Sequence, residues 1–257
     1  MCTRSFLKKR LQVLKQHPFA VEAFFRRSLV LSYAVPAPAL IDLLGPGLEL
    51  DTYDEYGFLA IALVQTEGLR PQGFPTVFGR DFFLSGYRIF ARLVRPGQPT
   101  MRGLRILRSD TDRRMMSVFG NMFTHYNYRL ADVSMTATES QFDVTIRTPG
   151  CEADLRVTAD LLVRPAALPE TTPFRSLQDA RHFAGPLPFT FSYDEHEKKM
   201  VVIKGVRRAW TPEPVRVTVH EASYLLAPRF RDARLANAFY LENVPYLWKP
   251  GTLESIG

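Results

Sequence analysis

Apolar residues along this chain fall into segments that predict strands more often than helices. Residues 57–69, GFLAIALVQTEGL, are almost continuously apolar, which is typical of a strand buried on both faces. Residues 28–35, 87–94 and 103–110 are shorter runs rich in β-branched and other apolar residues, and each is predicted to form a further strand. The first half of the chain therefore indicates strands with little exposed surface.

Beyond residue 128 apolar residues alternate with polar ones, which is typical of antiparallel strands with one buried face. The alternation is clearest in YRLADVSMTAT, FDVTIRT, ADLRVTAD and PVRVTVHEASY, and the turn segments ESQ and TPGCE separate the first three. Residues 189–206 predict another hairpin. This part of the chain indicates a series of antiparallel strands.

Few segments have a helical pattern. Residues 36–47 begin with prolines that suit a helix start, and residues 176–183 lie in a proline-rich crossover. Residues 111–123 predict a helix for which Asp110 and Asp112 are candidate N-caps. Many strands and so few helices favour a mainly β (α+β) fold, namely a closed or nearly closed antiparallel barrel.

The net charge of +7 is concentrated at the N-terminus. Residues 1–16 hold five basic residues and no acidic one, so the rest of the chain holds 28 of the 33 basic residues and all 26 acidic ones. A nucleic-acid-binding protein concentrates positive charge on its folded surface, and here that charge is scattered. We expect a basic tail or helix over residues 1–17, a single domain over residues 18–257, and no nucleic-acid partner.

Within the tail, Leu7, Leu11 and Leu14 recur at the spacing of one helix face. A basic amphipathic helix suits docking to a membrane surface or to a protein partner. It also suits packing against its own domain, and we favour this second interpretation.

The cysteine content and the hydropathy pattern predict that the protein resides in a reducing cytoplasm. The two cysteines are Cys2, in the tail, and Cys151, so a disulfide framework of the secreted kind is not expected. No apolar run reaches the about 18–20 residues that a transmembrane helix needs, and the N-terminus has no apolar signal-peptide core.

Motifs for common cofactors and metals are missing from the sequence. C-x-x-C, H-x-H and H-E-x-x-H are absent, and no glycine-rich phosphate-binding loop is present. G-x-S-x-G, the commonest nucleophile elbow of hydrolases, is absent as well. We therefore expect neither a cofactor nor a metal.

Three stretches resemble a known family. LVLSYAVPAPALIDLLGPGLELDTYDEYGFLAIALVQTEGLRPQG (29–73) is similar to the opening of the YqjF-like uncharacterised bacterial family. SYDEHEKKMVVIKGVRRAWTPEPVRVTV (192–219) and AFYLENVPYLWKPG (238–251) resemble its closing strands. This family belongs to the acetoacetate decarboxylase-like superfamily, so the resemblance implies a cone-shaped antiparallel β-barrel around an internal pocket.

Enzymes of that superfamily use a lysine that forms an imine with the substrate ketone, and the resemblance places it beside HYNYR (125–129). This chain has no lysine there, nor anywhere between Lys15 and Lys198. The pair Lys198–Lys199 lies in a predicted turn beside glutamates, where lysine keeps a high pKa that disfavours imine formation. Decarboxylase activity of the imine type is therefore not expected.

The resemblance leaves four candidate ligand-binding residues. Arg26 matches an arginine near the start of the first strand of the superfamily, with Arg27 as the competing position. His125, Tyr126 and Tyr128 lie at the place of the missing lysine pair and suit hydrogen bonds to a carboxylate or carbonyl. The alternative is structural, with the tyrosines as barrel-wall residues and the histidine at a helix end.

Other polar residues have a structural interpretation that we prefer. Arg88 and Arg92 share a strand face with Phe90, and solvation on the outer surface is favoured over a charged inner wall. Trp210 is interpreted as a structural anchor rather than a ligand-stacking residue, and His220 as solvent-facing.

The sequence leaves more than one function open. The first hypothesis is a protein that binds an acidic or carbonyl metabolite in an internal barrel pocket and lacks the imine-forming lysine. The second is an enzyme of lyase, isomerase or hydrolase type that uses the same pocket through histidine and tyrosine acid–base chemistry. A third is a protein that docks partners through its N-terminal helix, and the oligomeric state is open.

Overall fold

The computed structural model describes residues 13–163, 165, 167–185, 187–207 and 210–256. The tail helix predicted over residues 1–17 lies outside the described residues except for residues 13–17. In this part of the chain, no helix is both long enough and apolar enough to span a membrane.

Strands dominate the described chain, which confirms the mainly β prediction. The helices are α1 (Pro38–Ile41), α2 (Arg114–Phe123) and α3 (Leu177–Phe183). The strands are β1 (Val21–Pro36), β2 (Glu49–Leu50), β3 (Tyr56–Pro71), β4 (Arg80–Leu93), β5 (Met101–Thr111), β6 (Tyr128–Leu130), β7 (Asp132–Ala137), β8 (Gln141–Arg147), β9 (Leu155–Asp160), β10 (Phe189–Asp194), β11 (Lys199–Arg207), β12 (Glu213–Pro214), β13 (Arg216–Ala222), β14 (Arg234–Trp248) and β15 (Thr252–Ser255).

Seven strands pair in a closed circuit. Their order is β14–β1–β3–β4–β5–β10–β11, and β11 pairs with β14 again through residues 205–207 opposite residues 246–248. Every pair in the circuit is antiparallel except β5–β10, which is parallel. The all-antiparallel prediction is corrected at this pair and at the short parallel pair β5–β6 outside the circuit. Within the circuit the cause is that the chain leaves for a second sheet after β5 and returns beside β5 only at β10.

The second sheet is antiparallel and has the order β13–β9–β8–β7. Its alternation follows the sequence pattern: Phe142, Val144 and Ile146 of β8 are at most 1% exposed, because they face the core. Phe142 packs against Tyr240 of β14, with ring centroids 5.7 Å apart. The second sheet therefore covers the circuit on one of its faces.

Strands of the circuit are buried on both faces, and β3 shows this most clearly. Residues 58–64 are at most 4% exposed, which confirms the prediction made from their continuous apolar run. Leu59 and Ile61 belong to the cluster that the second sheet completes, whereas Phe58 and Ala60 belong to another cluster on the opposite face.

This other cluster faces the inside of the circuit. Arg88 of β4 interacts electrostatically with Tyr246 of β14 and with Arg207 of β11. Along the circuit two strands separate β4 from β14 on one side and three on the other. Side chains on strands so far apart meet only across the interior, so these residues point inward.

Helix α2 begins without either of its predicted caps. Its N-cap is Arg113, and no side chain caps it. The Asp112 carboxylate instead accepts a hydrogen bond of 2.8 Å from the backbone N–H of Phe83, and Asp110 pairs with Arg108 at 2.8 Å. The prediction of aspartate N-caps is wrong because both carboxylates bind groups of the circuit strands.

Candidate functional site

Arg88 is the central polar residue inside the circuit. Strand alternation places it on the same face of β4 as Phe82, Leu84 and Phe90, all members of the inner cluster. The prediction of an outer, solvated Arg88 is therefore wrong. Arg92, nearer the end of β4, is 41% exposed and pairs with Glu49 at 3.2 Å, as predicted for a surface arginine.

Tyr126 follows helix α2 and lies beside β10, which pairs with the same edge of β5 as β6 does. Its hydroxyl lies 2.6 Å from that of Thr190 on β10. The residue is 8% exposed, and burial, the largest cause, raises the pKa of its phenol. Tyr126 is thus a neutral, hydrogen-bonded member of the inner wall.

Tyr128 is held by the end of α2. The Asn121 side chain donates to the Tyr128 carbonyl and accepts from its N–H, both at 2.8 Å. A Cβ on Gly120 would overlap the Tyr128 ring, so the absent side chain of Gly120 leaves room for it. Asn127, between the two tyrosines, has a φ of 54°, and both tyrosines belong to the inner cluster. Burial raises the pKa of Tyr128, and no described residue is hydrogen-bonded to its hydroxyl.

A second arginine reaches the same interior from β11. The Arg207 guanidinium lies over the rings of Trp210 and Tyr246, 4.7 and 5.3 Å from their centroids, and its Nη2 donates to the Leu187 carbonyl at 2.8 Å. A Cβ on Gly205 would overlap the Tyr246 hydroxyl, so this glycine lets Tyr246 cross β11. Sequence reasoning missed Arg207.

The electrostatic balance of this interior is positive. Burial lowers the pKa of Arg88, and Arg207 adds to the effect, while Tyr246, Tyr126 and Tyr128 oppose it. Among the residues that the structure describes, no carboxylate pairs with Arg88 or Arg207. The site therefore carries positive charge that no described carboxylate neutralises.

Several buried donors in this region have no acceptor. They are Nε of Arg88, Nε of Arg207 and Nε1 of Trp210. Arginine and the indole N–H donate hydrogen bonds and accept none, and a buried donor without a partner costs roughly 1–3 kcal/mol. A hydrogen-bond acceptor would satisfy these donors, and beside two guanidiniums the strongest acceptor is an anion.

His125 does not join the tyrosines. Burial lowers its pKa, and its electrostatic neighbours are Lys15, Asp194 and Arg105. Its Nε2 is buried without a hydrogen-bond partner. The side chain thus belongs to a different environment from that of Tyr126, and its ligand-binding role stays a prediction.

Arg26 lies on the outer surface. Its side chain is 43% exposed and forms a two-pronged ion pair with Glu67, at 3.0 and 2.9 Å, while Nη1 donates to Asn243 at 2.9 Å. The structure gives Arg26 no contact with Tyr126 or Tyr128. Its role in ligand binding, like that of the competing Arg27, stays a prediction that this geometry does not favour.

Lys198 lies in the turn between β10 and β11, as the sequence predicts, whereas Lys199 is the first residue of β11 and pairs with Asp194. Lys198 is 71% exposed, has a φ of 53° and lies 3.4 Å from Glu195. Lys204 is exposed on β11, with its Nζ 5.8 Å from the Phe189 ring centre. Within the described chain, no lysine is among the electrostatic neighbours that shift the pKa of Arg88, Tyr126 or Tyr128.

A basic cleft of about 1070 Å³ opens beside the inner site. Its walls include Arg95, Arg102, Arg181 and His182, together with Leu187. Because the Leu187 carbonyl also accepts the hydrogen bond from Arg207, the cleft and the inner site share a wall. Arg95 and Arg102 form ion pairs with Glu254 and Asp51, so part of the positive charge of the cleft is already compensated and Arg181 contributes the rest.

Comparison with known families agrees with the resemblance read from the strand segments. The chain belongs to the DUF2071 family. The family model, described as an uncharacterized conserved protein, matches residues 22–245. A comparison with curated proteins finds no significant match.

Solved structures share the fold of this DUF2071 protein at low sequence identity. Acetoacetate decarboxylase from Legionella pneumophila has a TM-score of 0.64 and 12% identity, covering 93% of this chain and 88% of that one. An acetoacetate decarboxylase-like enzyme from Sphingomonas wittichii has a TM-score of 0.63 and 13% identity, and the match covers 94% of this chain and 96% of that one. MppR, an enduracididine biosynthesis enzyme complexed with pyruvate, has a TM-score of 0.54 and 11% identity, and the match covers 93% of this chain and 91% of that one. These likenesses establish an acetoacetate decarboxylase-like fold.

Proposed function

We propose that this protein binds a small organic carboxylate inside the strand circuit and does so without forming an imine. One observation carries the proposal: buried donors of Arg88, Arg207 and Trp210 lack acceptors, and no described carboxylate neutralises the two guanidiniums. A carboxylate ligand supplies both the missing acceptors and the missing negative charge.

The tyrosines add neutral donors to this site. Burial raises the phenol pKa of Tyr126 and Tyr128, so both hydroxyls stay protonated at neutral pH. A protonated phenol donates to a carboxylate or carbonyl oxygen but does not act as a base. The separate environment of His125 supports ligand binding over the acid–base enzyme hypothesis, because no described base lies beside these phenols to take a proton.

The proposal extends to the shape of the site and to the class of ligand. We take the circuit to be a cone-shaped barrel with an internal pocket, formed by residues 18–257 as one domain. MppR was captured with pyruvate, a 2-oxo acid, in a related fold. Acidic and carbonyl metabolites of similar size are accordingly the ligands to screen, whereas partner docking by the N-terminal tail has no support from the described residues.

The decisive experiment compares two arginines on the same face of β4. The purified protein is screened by thermal shift against small monocarboxylates, dicarboxylates and 2-oxo acids. A ligand at 100 times its dissociation constant adds about 2.7 kcal/mol, which raises the midpoint by roughly 5–10 °C for a chain of this length. We expect Arg88→Met to abolish the shift and Arg92→Met to retain it.

Two outcomes would overturn the proposal. One is the absence of any shift for the wild-type protein across the panel. The other is equal binding by Arg88→Met and the wild type. Sodium borohydride treatment with pyruvate should leave the protein mass unchanged, because no lysine of the described residues is an electrostatic neighbour of Arg88, Tyr126 or Tyr128. Consumption of a bound carboxylate, followed by NMR and lost in His125→Ala, would instead favour the enzyme hypothesis.

A further inference from the structure

The proposed carboxylate site contains two guanidiniums, although one is enough for a single carboxylate. Arg88 comes from β4 and Arg207 from β11, strands separated in the circuit by β5 and β10. The two side chains repel each other, since Arg207 is among the causes that lower the pKa of Arg88. Their proximity is therefore unfavourable unless a ligand compensates both charges.

A ligand with one negative charge neutralises only one of the two guanidiniums. Holding a cation in a protein interior without a counter-ion is costly. Since none of the described carboxylates pairs with Arg88 or Arg207, compensation of both arginines requires two negative charges from the ligand.

The surroundings of the two arginines differ. The electrostatic neighbours of Arg88 include the phenols of Tyr126 and Tyr128, which suit one carboxylate. Arg207 is held in a fixed orientation over Trp210 and by its bond to the Leu187 carbonyl. Its Nε and the Trp210 Nε1 remain as free buried donors. A guanidinium fixed in this way is pre-organised to bind a second anionic group.

We propose that the ligand is a dicarboxylate, with one carboxylate at Arg88 and the other at Arg207 beside Trp210. This inference rests on the proposed carboxylate-binding function and specifies its ligand class. Tyr246 interacts electrostatically with Arg88 and lies under the Arg207 guanidinium, so it lines the space between the two groups.

The test compares ligands that differ only in the second carboxylate. Malonate, succinate and glutarate are paired with propionate, butyrate and valerate, and dissociation constants are measured by calorimetry. We expect one dicarboxylate to bind at least tenfold more tightly than its monocarboxylate partner. Arg207→Gln should reduce that ratio to below threefold, mostly by weakening the dicarboxylate.

Arg105→Gln is the matched control. Arg105, like Arg88 and Arg207, is a partly buried arginine with an unpaired Nε on a circuit strand, and burial lowers its pKa. Its cross-strand neighbours, Ile89 and Phe191, belong to the cluster on the opposite face, so Arg105 points away from the interior. The ratio of dicarboxylate to monocarboxylate affinity should be unchanged in this variant.

Three other outcomes would contradict the proposal of a dicarboxylate ligand. Equal affinities for the paired ligands in the wild type would reject it while leaving the proposed function intact. An equal loss for both ligands in Arg207→Gln would assign Arg207 a structural role only. Failure of every carboxylate to bind would reject the proposed function together with this inference. The wild-type comparison needs no variant, so it decides the matter even if Arg207→Gln does not fold.

Discussion

The Arg88 guanidinium folds back over the backbone of Gly86, two residues earlier on the inner face of β4. A Cβ on residue 86 would come within 2.9 Å of Arg88 Nε and 3.0 Å of its Nη2. The orientation of the arginine thus depends on the absence of a side chain at Gly86, which a single methyl group can test.

Gly86→Ala should weaken carboxylate binding without unfolding the protein. The added methyl displaces the guanidinium, and a loss of about 1.4 kcal/mol corresponds to tenfold weaker binding by calorimetry. Gly150→Ala is the control, since its Cβ would approach the Glu152 carboxylate at 2.6 Å in a turn of the second sheet. Unchanged affinity in Gly86→Ala would show that the position of the guanidinium does not matter for binding.

The two inner tyrosines should respond differently to loss of the hydroxyl. Tyr126→Phe removes the 2.6 Å hydrogen bond to Thr190 and should lower the free energy of unfolding by about 1 kcal/mol. Tyr128→Phe removes a hydroxyl with no partner among the described residues, so stability should change by less than about 0.5 kcal/mol. Urea unfolding measures both.

Carboxylate affinity should depend more on the hydroxyl of Tyr128 than on that of Tyr126. Because the Tyr128 hydroxyl is free to donate to a ligand, Tyr128→Phe should weaken binding about tenfold, the value of a lost charge-assisted hydrogen bond of roughly 1.5 kcal/mol. A Tyr128→Phe variant that is destabilised but binds normally would contradict this division of roles.

His17 should make stability depend on pH. It is 6% exposed, neither ring nitrogen has a hydrogen-bond partner, and burial lowers its pKa to about 4. The unfolded chain has a histidine pKa near 6.5, so it binds a proton that the folded protein excludes. The stabilisation is complete above about pH 6.5 and is lost as the pH falls towards 4, by roughly 3 kcal/mol.

His17→Asn should remove this part of the pH dependence. Asparagine tolerates the left-handed backbone at this position, where φ is 56°. His220→Asn is the control, because His220 is exposed on β13 and, among the described residues, its hydrogen bond is to Thr158. Urea unfolding between pH 4 and 7 compares the three proteins; parallel curves for wild type and His17→Asn would show that His17 does not titrate as expected.

A buried ion pair should be essential for stability on the outer face of the circuit. Arg108 and Asp110 lie 2.8 Å apart with side chains 4% and 0% exposed. Asp110→Ala leaves Arg108 without its buried partner and should cost about 3–5 kcal/mol. Glu152→Gln should cost about 1 kcal/mol or less, because Glu152 is 44% exposed and Arg108 keeps Asp110. Similar unfolding midpoints for the two variants would contradict the pair's importance.

Much of the strand content is determined by the sequence alone. The segment predicted over residues 57–69 is the strand Tyr56–Pro71, and the hairpin predicted over residues 189–206 is formed by Phe189–Asp194 and Lys199–Arg207. These predictions succeed because apolar alternation and turn residues act between neighbours along the chain. Residues 1–12 are outside the description, so the tail helix stays a prediction.

Which polar residues meet inside the circuit depends on the tertiary structure. Alternation on β4 puts Arg88 and Phe90 on one face, but the sequence does not say whether that face is inside or outside the circuit. Closure decides this, through the pairing of β11 with β14, and the same closure brings Arg207 and Tyr246 to Arg88. Contacts between strands more than 100 residues apart leave no local pattern, because side chains from distant strands meet only when the circuit is complete.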